Sequence, residues 1–380
     1  MPLFDTGCRR AMAGLIITIA AGLSAPPAAH ADLPDGQYHD VIVHLLSKVL
    51  PPQLDALHTG TADLATGMNN FCKNPDKAGL AKMRDGFNTA MDRWQEVQPW
   101  RMGPMMAEGR DQLIEYWPDK HGTATRQFRM LLRNKPPLYT DPAKIADASA
   151  ALQGFPALEE VLFNPKLAGQ IIAKDKDKDG VYLCQYGVTI AGNLEKLTGD
   201  LVAEWPAFAD GMMNAGPDSL DYPTSKFAAT DLYRALHEGM LIIISQKLAR
   251  PLGEGPDDAN AKRAESWRSE RSLRNISHNL KSLFAIYDGE LNGAGESGKG
   301  MVALLGADSL LDRSFRLNWQ KIRDASDALP ASMVAVFAQP GGFDKVQDLQ
   351  TQVAYGVMLV ENDVGGHTEL GGGFNALDGD

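Results

Sequence analysis

Gln153-Gly154-Phe155-Pro156-Ala157-Leu158-Glu159-Glu160-Val161-Leu162-Phe163 puts a carboxylate where an apolar side chain belongs, and the reading of the fold starts from it. Upstream, Asp141-Pro142 has the form of an N-cap followed by proline at the first helical position. Ile145, Ala148, Leu152, Phe155 and Leu162 then recur at steps of three and four, the spacing of one helix face. Position 159 is the member missing from that series. At 3.6 residues per turn Glu159 falls between Phe155 and Leu162 and is expected to face the core, while Glu160 turns outward.

A buried carboxylate needs a partner, a hydrogen bond, a metal or a proton. Pro156 inside this helix predicts a kink that frees carbonyls near Glu159, and Gly154 eases the bend. The alternative is a helix that ends at Gly154 and restarts at Pro156, with Glu159 neutralised by an arginine of a neighbouring helix.

Helical periodicity extends over most of the chain. Tyr38, Val41, Ile42, Leu45 and Val49 form one stripe, and Pro51-Pro52 interrupts or bends that helix before Leu54 and Leu57. Leu80, Met83, Phe87, Ala90, Trp94 and Val97 form another. Helices are also predicted over 182–205, 226–249, 261–288, 309–325 and 343–361. No sustained period-two pattern of a half-buried sheet is present. The chain therefore reads as all-α, with two helical bundles, 32–205 and 226–364, and a site at their interface. Residues 206–225, rich in Gly and Pro, read as the linker, and 365–380 as a flexible glycine-rich tail.

The first 31 residues read as a secretory signal. Arg9 and Arg10 precede the apolar run Ala11 to Leu23, and Ala29-His30-Ala31 fits a cleavage site before Asp32. The expectation is a periplasmic protein with no transmembrane segment once the signal is removed. Its roughly 350 residues suffice for two ordinary domains. The formal charge of −11 argues against nucleic acid or an anionic membrane as partner. Outside the leader the cysteines are Cys72 and Cys184. In an oxidising compartment they form either a bridge, contributing roughly 4–5 kcal/mol by loop entropy, or two buried free thiols.

Several familiar motifs fail on their own chemistry. Asp175-Lys176-Asp177-Lys178-Asp179-Gly180 imitates the opening of a calcium loop, but Tyr186 stands at position twelve where a bidentate Glu is required. His237-Glu238 is followed by Leu241 rather than a second histidine, so the zinc-protease helix is missing. No nucleophile elbow or phosphate-cradling loop occurs. On the segment 265–288, Arg268, Ser272, Asn275 and Asn279 align at helical spacing beside the seam Leu273, Ile276, Leu280 and Leu283. This strip is either a wetted helix side or a wall from which Arg268 reaches Glu159 while Ser272 and Asn275 hydrogen-bond a ligand.

These landmarks carry a family resemblance. Gly154-Phe155-Pro156-Ala157-Leu158-Glu159 resembles the G-x-H-x-x-E signature of the imelysin (M75) family, secreted all-helical bacterial proteins. Trp94 with Arg101-Met102-Gly103-Pro104, Trp117-Pro118-Asp119, Tyr182-Leu183-Cys184 and Arg268 to Ile276 are similar to a periplasmic subgroup. The resemblance implies two bundles with a site in the groove between them, and an association with iron acquisition. Only Gly154 and Glu159 of the signature carry over. With Pro156 in place of histidine, a metal site on Glu159 loses its nitrogen ligand, and no activated nucleophile or water is visible for a peptidase.

The expected function is thus binding of a small ligand, or of iron or another divalent metal, or of a periplasmic iron-uptake component. Glu159 is the central group, Gly154 and Pro156 shape its surroundings, and Trp94, Arg101, Arg268, Ser272 and Asn275 are candidate wall residues. The alternatives are an M75-type metallopeptidase and a structural module docking on a periplasmic or outer-membrane partner.

Overall fold

The computed structural model describes residues 33–173 and 178–371. The signal sequence with its cleavage point, part of the Asp-Lys repeat at 175–180 and residues 372–380 lie outside the described residues. The chain is all-α. Among the described residues sixteen helices run in order: α1 (Asp35–His44), α2 (Leu50–Lys73), α3 (Lys77–Val97), α4 (Arg110–Ile114), α5 (Thr123–Asn134), α6 (Gly154–Phe163), α7 (Pro165–Ile171), α8 (Lys178–Met213), α9 (Ser225–Ile242), α10 (Ala249–Leu252), α11 (Ser272–Asp288), α12 (Val302–Leu305), α13 (Leu310–Asp327), α14 (Met333–Phe337), α15 (Gly342–Leu359) and α16 (Gly366–Thr368). The only sheet among the described residues is a hairpin of two-residue strands, Glu290–Leu291 and Ala294–Gly295. No helix of the described residues is long and apolar enough to cross a membrane.

The helices form where the apolar period predicts them. In α3 the Asp76 carboxylate caps the start by accepting from the Gly79 N–H at 2.6 Å, and Leu80, Met83, Phe87, Ala90, Trp94 and Val97 are all buried. This stripe packs on α2, which also lies along α8, and α6 and α7 close over α8. The later helices α9, α11, α13 and α15 pack together, and α11 meets α3. The first helix does not stay with its sequence neighbours: α1 packs chiefly on α9. Buried apolar residues from Tyr38 to Leu370 belong to one contiguous core, so the division at 206–225 does not separate two cores.

Four local expectations are corrected. Helix α8 continues through Pro206 to Met213, leaving residues 214–224 as the connection. The N–H that proline lacks is offset by burial of Trp205, Ala209 and Met212. The segment after Asp141 is not one helix but a series of single turns, at Ile145–Asp147 and Ala150–Leu152. The stretch 261–271 is likewise irregular, with positive φ at Ser266 and Glu270, so α11 starts only at Ser272. Finally, the chain from Gly365 to Gly371 is packed rather than loose: Thr368 and Leu370 are buried, and the Tyr38 hydroxyl donates to the Thr368 carbonyl at 2.9 Å.

Cys72 and Cys184 are joined by a disulfide with their Cα atoms 5.6 Å apart. It ties the end of α2 to the first turns of α8.

Candidate functional site

Helix α6 is set by its first residue. Gly154 has φ +68°, and a Cβ there would lie 2.2 Å from the Ile114 carbonyl oxygen, so only glycine lets the start of α6 close on the end of α4. Gln153 locks the approach: its amide donates to the Ala148 carbonyl at 2.6 Å and its oxygen accepts from Asn193 at 2.7 Å. Pro156 therefore falls in the first turn, where a backbone N–H has no helical acceptor. The expected kink is absent for that reason, and the reading in which a helix restarts around Pro156 describes the backbone better.

Glu159 faces inward and is only 4% exposed. Its Oε1 accepts from the Ser269 backbone N–H at 2.8 Å and from the Ser269 hydroxyl at 2.7 Å. Oε2 receives no hydrogen bond from a described residue. Burial pushes this carboxyl above its ordinary pKa, against the Ser269 hydrogen bonds and the charge of Arg268. The expectation that Arg268 pairs with Glu159 is corrected. Because Arg268 lies on the irregular turn and not on α11, its guanidinium pairs with Glu160 instead, and it stacks on Trp267 with 4.4 Å between the guanidinium carbon and the ring centre.

A second buried acid, Glu115, lies just beyond α4. Its Oε2 accepts from Trp94 Nε1 at 2.5 Å, Gln98 Nε2 at 2.8 Å and Gln95 Nε2 at 3.3 Å, while Oε1 takes no hydrogen bond from a described residue. Burial first, then the neighbouring charge of Glu265, raise its pKa to about 8, against the pull of Lys247 and the Trp94 and Gln95 donors. Behind it Lys247 sits in a π-helical turn, Ile243–Leu248. Its ammonium lies 2.8 and 2.9 Å from the two Glu265 oxygens and donates to Gln95, Gln98 and Asn279. Asn275 donates to Glu265 at 2.7 Å. This network fastens α3 to α11 and to the turn after α9.

Glu115, Glu159 and Glu160 open onto one cleft of about 360 Å³, within the size range of small-molecule sites. One wall is Tyr116 to Thr125 and the start of α6; the other is Arg250 and the turn Lys262 to Arg268. Of the residues singled out from sequence, Glu159, Pro156 and Arg268 line this cleft. Gly154 shapes it from behind, while Trp94 is bonded to Glu115, and Asn275 to Glu265, Ser266 and Arg271. Ser272 is not a ligand donor: it is buried and accepts from the Met333 N–H at 2.9 Å. Arg101 pairs with Asp111 at 3.2 Å and borders a separate cavity of about 230 Å³. Among the described residues no group of three or more His, Cys, Asp or Glu side chains converges as a metal site.

Sequence reasoning missed Glu115, Lys247, Glu265 and Ser269. For Glu115 and Lys247 the signal was present, a charge set among Ile114, Tyr116 and Trp117 or between Ile244 and Leu248. Ser269 carries no local signal, since only the fold brings it to Glu159.

The chain as a whole is similar to known proteins. The family model described as imelysin, peptidase M75, matches residues 51–357. The chain belongs to the imelysin family. Iron-regulated protein A of Synechococcus elongatus is 24% identical over 323 residues, 83% of each chain. An imelysin-like protein of Psychrobacter arcticum has the same fold, with a TM-score of 0.73 at 17% identity over 90% of this chain and 99% of the other. A Parabacteroides distasonis protein provisionally assigned as an iron-regulated protein A precursor matches with a TM-score of 0.71 at 16% identity, covering 87% of this chain and 96% of its own. At the imelysin signature positions, Gly154 makes the tight turn and Glu159 is the buried acid. Pro156, where the signature resemblance implied histidine, adds hydrocarbon to the cleft wall.

Proposed function

We propose that this imelysin-family protein is a periplasmic ligand-binding component of bacterial iron acquisition, with the ligand seated over Glu159. The observation that carries the reading is an acid buried to 4% exposure whose Oε2 lacks a donor among the described residues and which borders an open cleft. An oxygen that faces the cleft without a protein partner can accept from a ligand donor or, when the carboxyl is protonated, donate to a ligand acceptor. The association with iron rests on the family and on the name of the Synechococcus relative. The periplasmic address rests on the leader-like first 31 residues. Because Glu159 is partnered by a serine rather than by nitrogen, sulfur or further carboxylate ligands, iron held by the protein alone is the less favoured form of the ligand.

The test is complementation of a deletion strain under iron limitation, together with fractionation. The wild-type chain should restore growth from the periplasmic fraction, and Glu159→Gln, folded and exported, should not. Full rescue by Glu159→Gln, or retention in the cytoplasm, would overturn the proposal. Chelator-sensitive peptide cleavage that disappears in Glu159→Gln would replace it with the metallopeptidase reading.

A further inference from the structure

Among the described residues four cationic side chains line the cleft: Arg250, Lys262, Arg263 and Arg268. Two are already matched. Arg268 pairs with Glu160, and Arg263 donates to both oxygens of Asp258 at 2.9 and 3.0 Å. Arg250 and Lys262 have no carboxylate within ion-pairing distance among the described residues. Within the same set the buried Arg250 Nε finds no acceptor, and the Lys262 ammonium is held 5.6 Å above the Trp267 ring.

The acids of the cleft do not cancel these two charges. Glu160 is taken by Arg268. The two oxygens of Asp119 accept from the N–H groups of Thr123 and Ala124, at 2.7 and 2.9 Å, where α5 begins. Glu115, with its pKa raised to about 8, is largely uncharged at neutral pH. Only Glu159 is left, pushed towards its neutral form by burial. Between the charged rims the exposed apolar surface comes from Tyr116, Trp117, Pro156 and Trp267.

We infer that the cleft takes a small organic anion, a carboxylate on an apolar body, with Arg250 and Lys262 binding the carboxylate and Trp117, Pro156 and Trp267 covering the body. A guanidinium at the cleft wall without an ion-pair partner among the described residues is matched by a carboxylate, the ligand group that fits its geometry. Glu115, protonated at neutral pH, then does not repel the ligand, and burial weakens the repulsion from Glu159. The inference rests on the cleft being the ligand site, and it adds the ligand's charge and chemical class.

The probes are phenylacetate, phenylacetamide and phenethylamine, an anion, a neutral and a cation on closely similar skeletons. They are titrated into the full mature protein by calorimetry, with tryptophan fluorescence reporting on Trp117 and Trp267. Phenylacetate should bind about tenfold or more tightly than the other two, and the double variant Arg250→Gln/Lys262→Gln should lose about that factor for phenylacetate alone. The comparison on the wild-type protein stands even if the variant folds poorly. Phenethylamine binding as tightly as phenylacetate, or a folded double variant with unchanged phenylacetate affinity, overturns the ligand class. Absence of binding by all three at about 10 mM, far above the dissociation constants of specific small ligands, also overturns it. Growth of the Glu159→Gln strain under iron limitation separates the two failures: if it still does not grow, the cleft reading survives and only the ligand class is wrong.

Discussion

Ser269 gives both its backbone N–H and its hydroxyl to one oxygen of Glu159, at 2.8 and 2.7 Å, across 110 positions of sequence. This pairing holds the irregular turn before α11 against α6 and orients the acid so that its second oxygen is left for the cleft. Ser269→Ala removes one donor and keeps the other, so it should cost about 1 kcal/mol of stability and raise the Glu159 pKa further. Glu159→Gln keeps an acceptor for Ser269 and should fold with near-normal stability while losing ligand affinity. Urea melts read alongside calorimetry check both, and a Glu159→Gln protein that binds ligand normally would contradict the assignment.

Glu115 makes stability depend on pH in an unusual direction. Its carboxyl titrates near 4.5 when unfolded and at about 8 when folded, so between those values the native state holds the extra proton and stability falls as pH rises. The contribution is complete below the lower value and is lost through the upper one. Glu115→Gln cannot lose a proton, and its denaturation free energy should be flatter between about pH 5 and pH 9 by on the order of a few kcal/mol. Glu265→Gln removes the neighbouring charge and should move the steep region to lower pH. At the acid end Asp92 and Glu96 act oppositely. Their hydrogen bonds and charges from Arg274, Arg271, Arg93 and His278 outweigh burial and depress both pKa values, so their stabilisation is present above the unfolded values and is lost as pH drops below about 4.

Lys247 and Glu265 are each about 2% exposed. Lys247→Met alone leaves a buried carboxylate without its cation and should cost about 3–5 kcal/mol. Adding Glu265→Leu should recover part of the loss. A double-mutant cycle from urea melts measures the coupling, and strictly additive losses would show that the pair is not energetically linked.

Gly154→Ala combines a positive φ with a Cβ 2.2 Å from a backbone oxygen. The clash meets main chain rather than a flexible tip, so a loss of at least about 2–4 kcal/mol is expected. Thermal melts should show a clear fall in Tm, and ligand affinity should weaken in any protein that folds, because α6 carries Glu159.

Reduction of the Cys72–Cys184 bridge, which closes a loop of sequence separation 112, should lower stability by roughly 4–5 kcal/mol on the loop-entropy estimate. Denaturation with and without reductant, compared with Cys72→Ser/Cys184→Ser, gives the figure. A reduced protein as stable as the oxidised one would leave the bridge without a stabilising role.

Period and composition alone determined the all-helical class, the buried stripe of α3 and the inward direction of Glu159, because a helix face is a local property that one turn passes to the next. The irregular stretches escaped that logic. Ile145, Ala148 and Leu152 keep helical spacing, yet their backbone forms separate single turns. Arg268 shares spacing with Ser272 and Asn275, yet it lies before the helix and pairs with Glu160. Which donor reaches Glu159, whether Glu115 stays protonated, and which cations of the cleft are left without a partner were decided only by tertiary structure. Burial and pairing are properties of neighbours brought from 20 to more than 180 positions away, and local order along the chain carries no record of them.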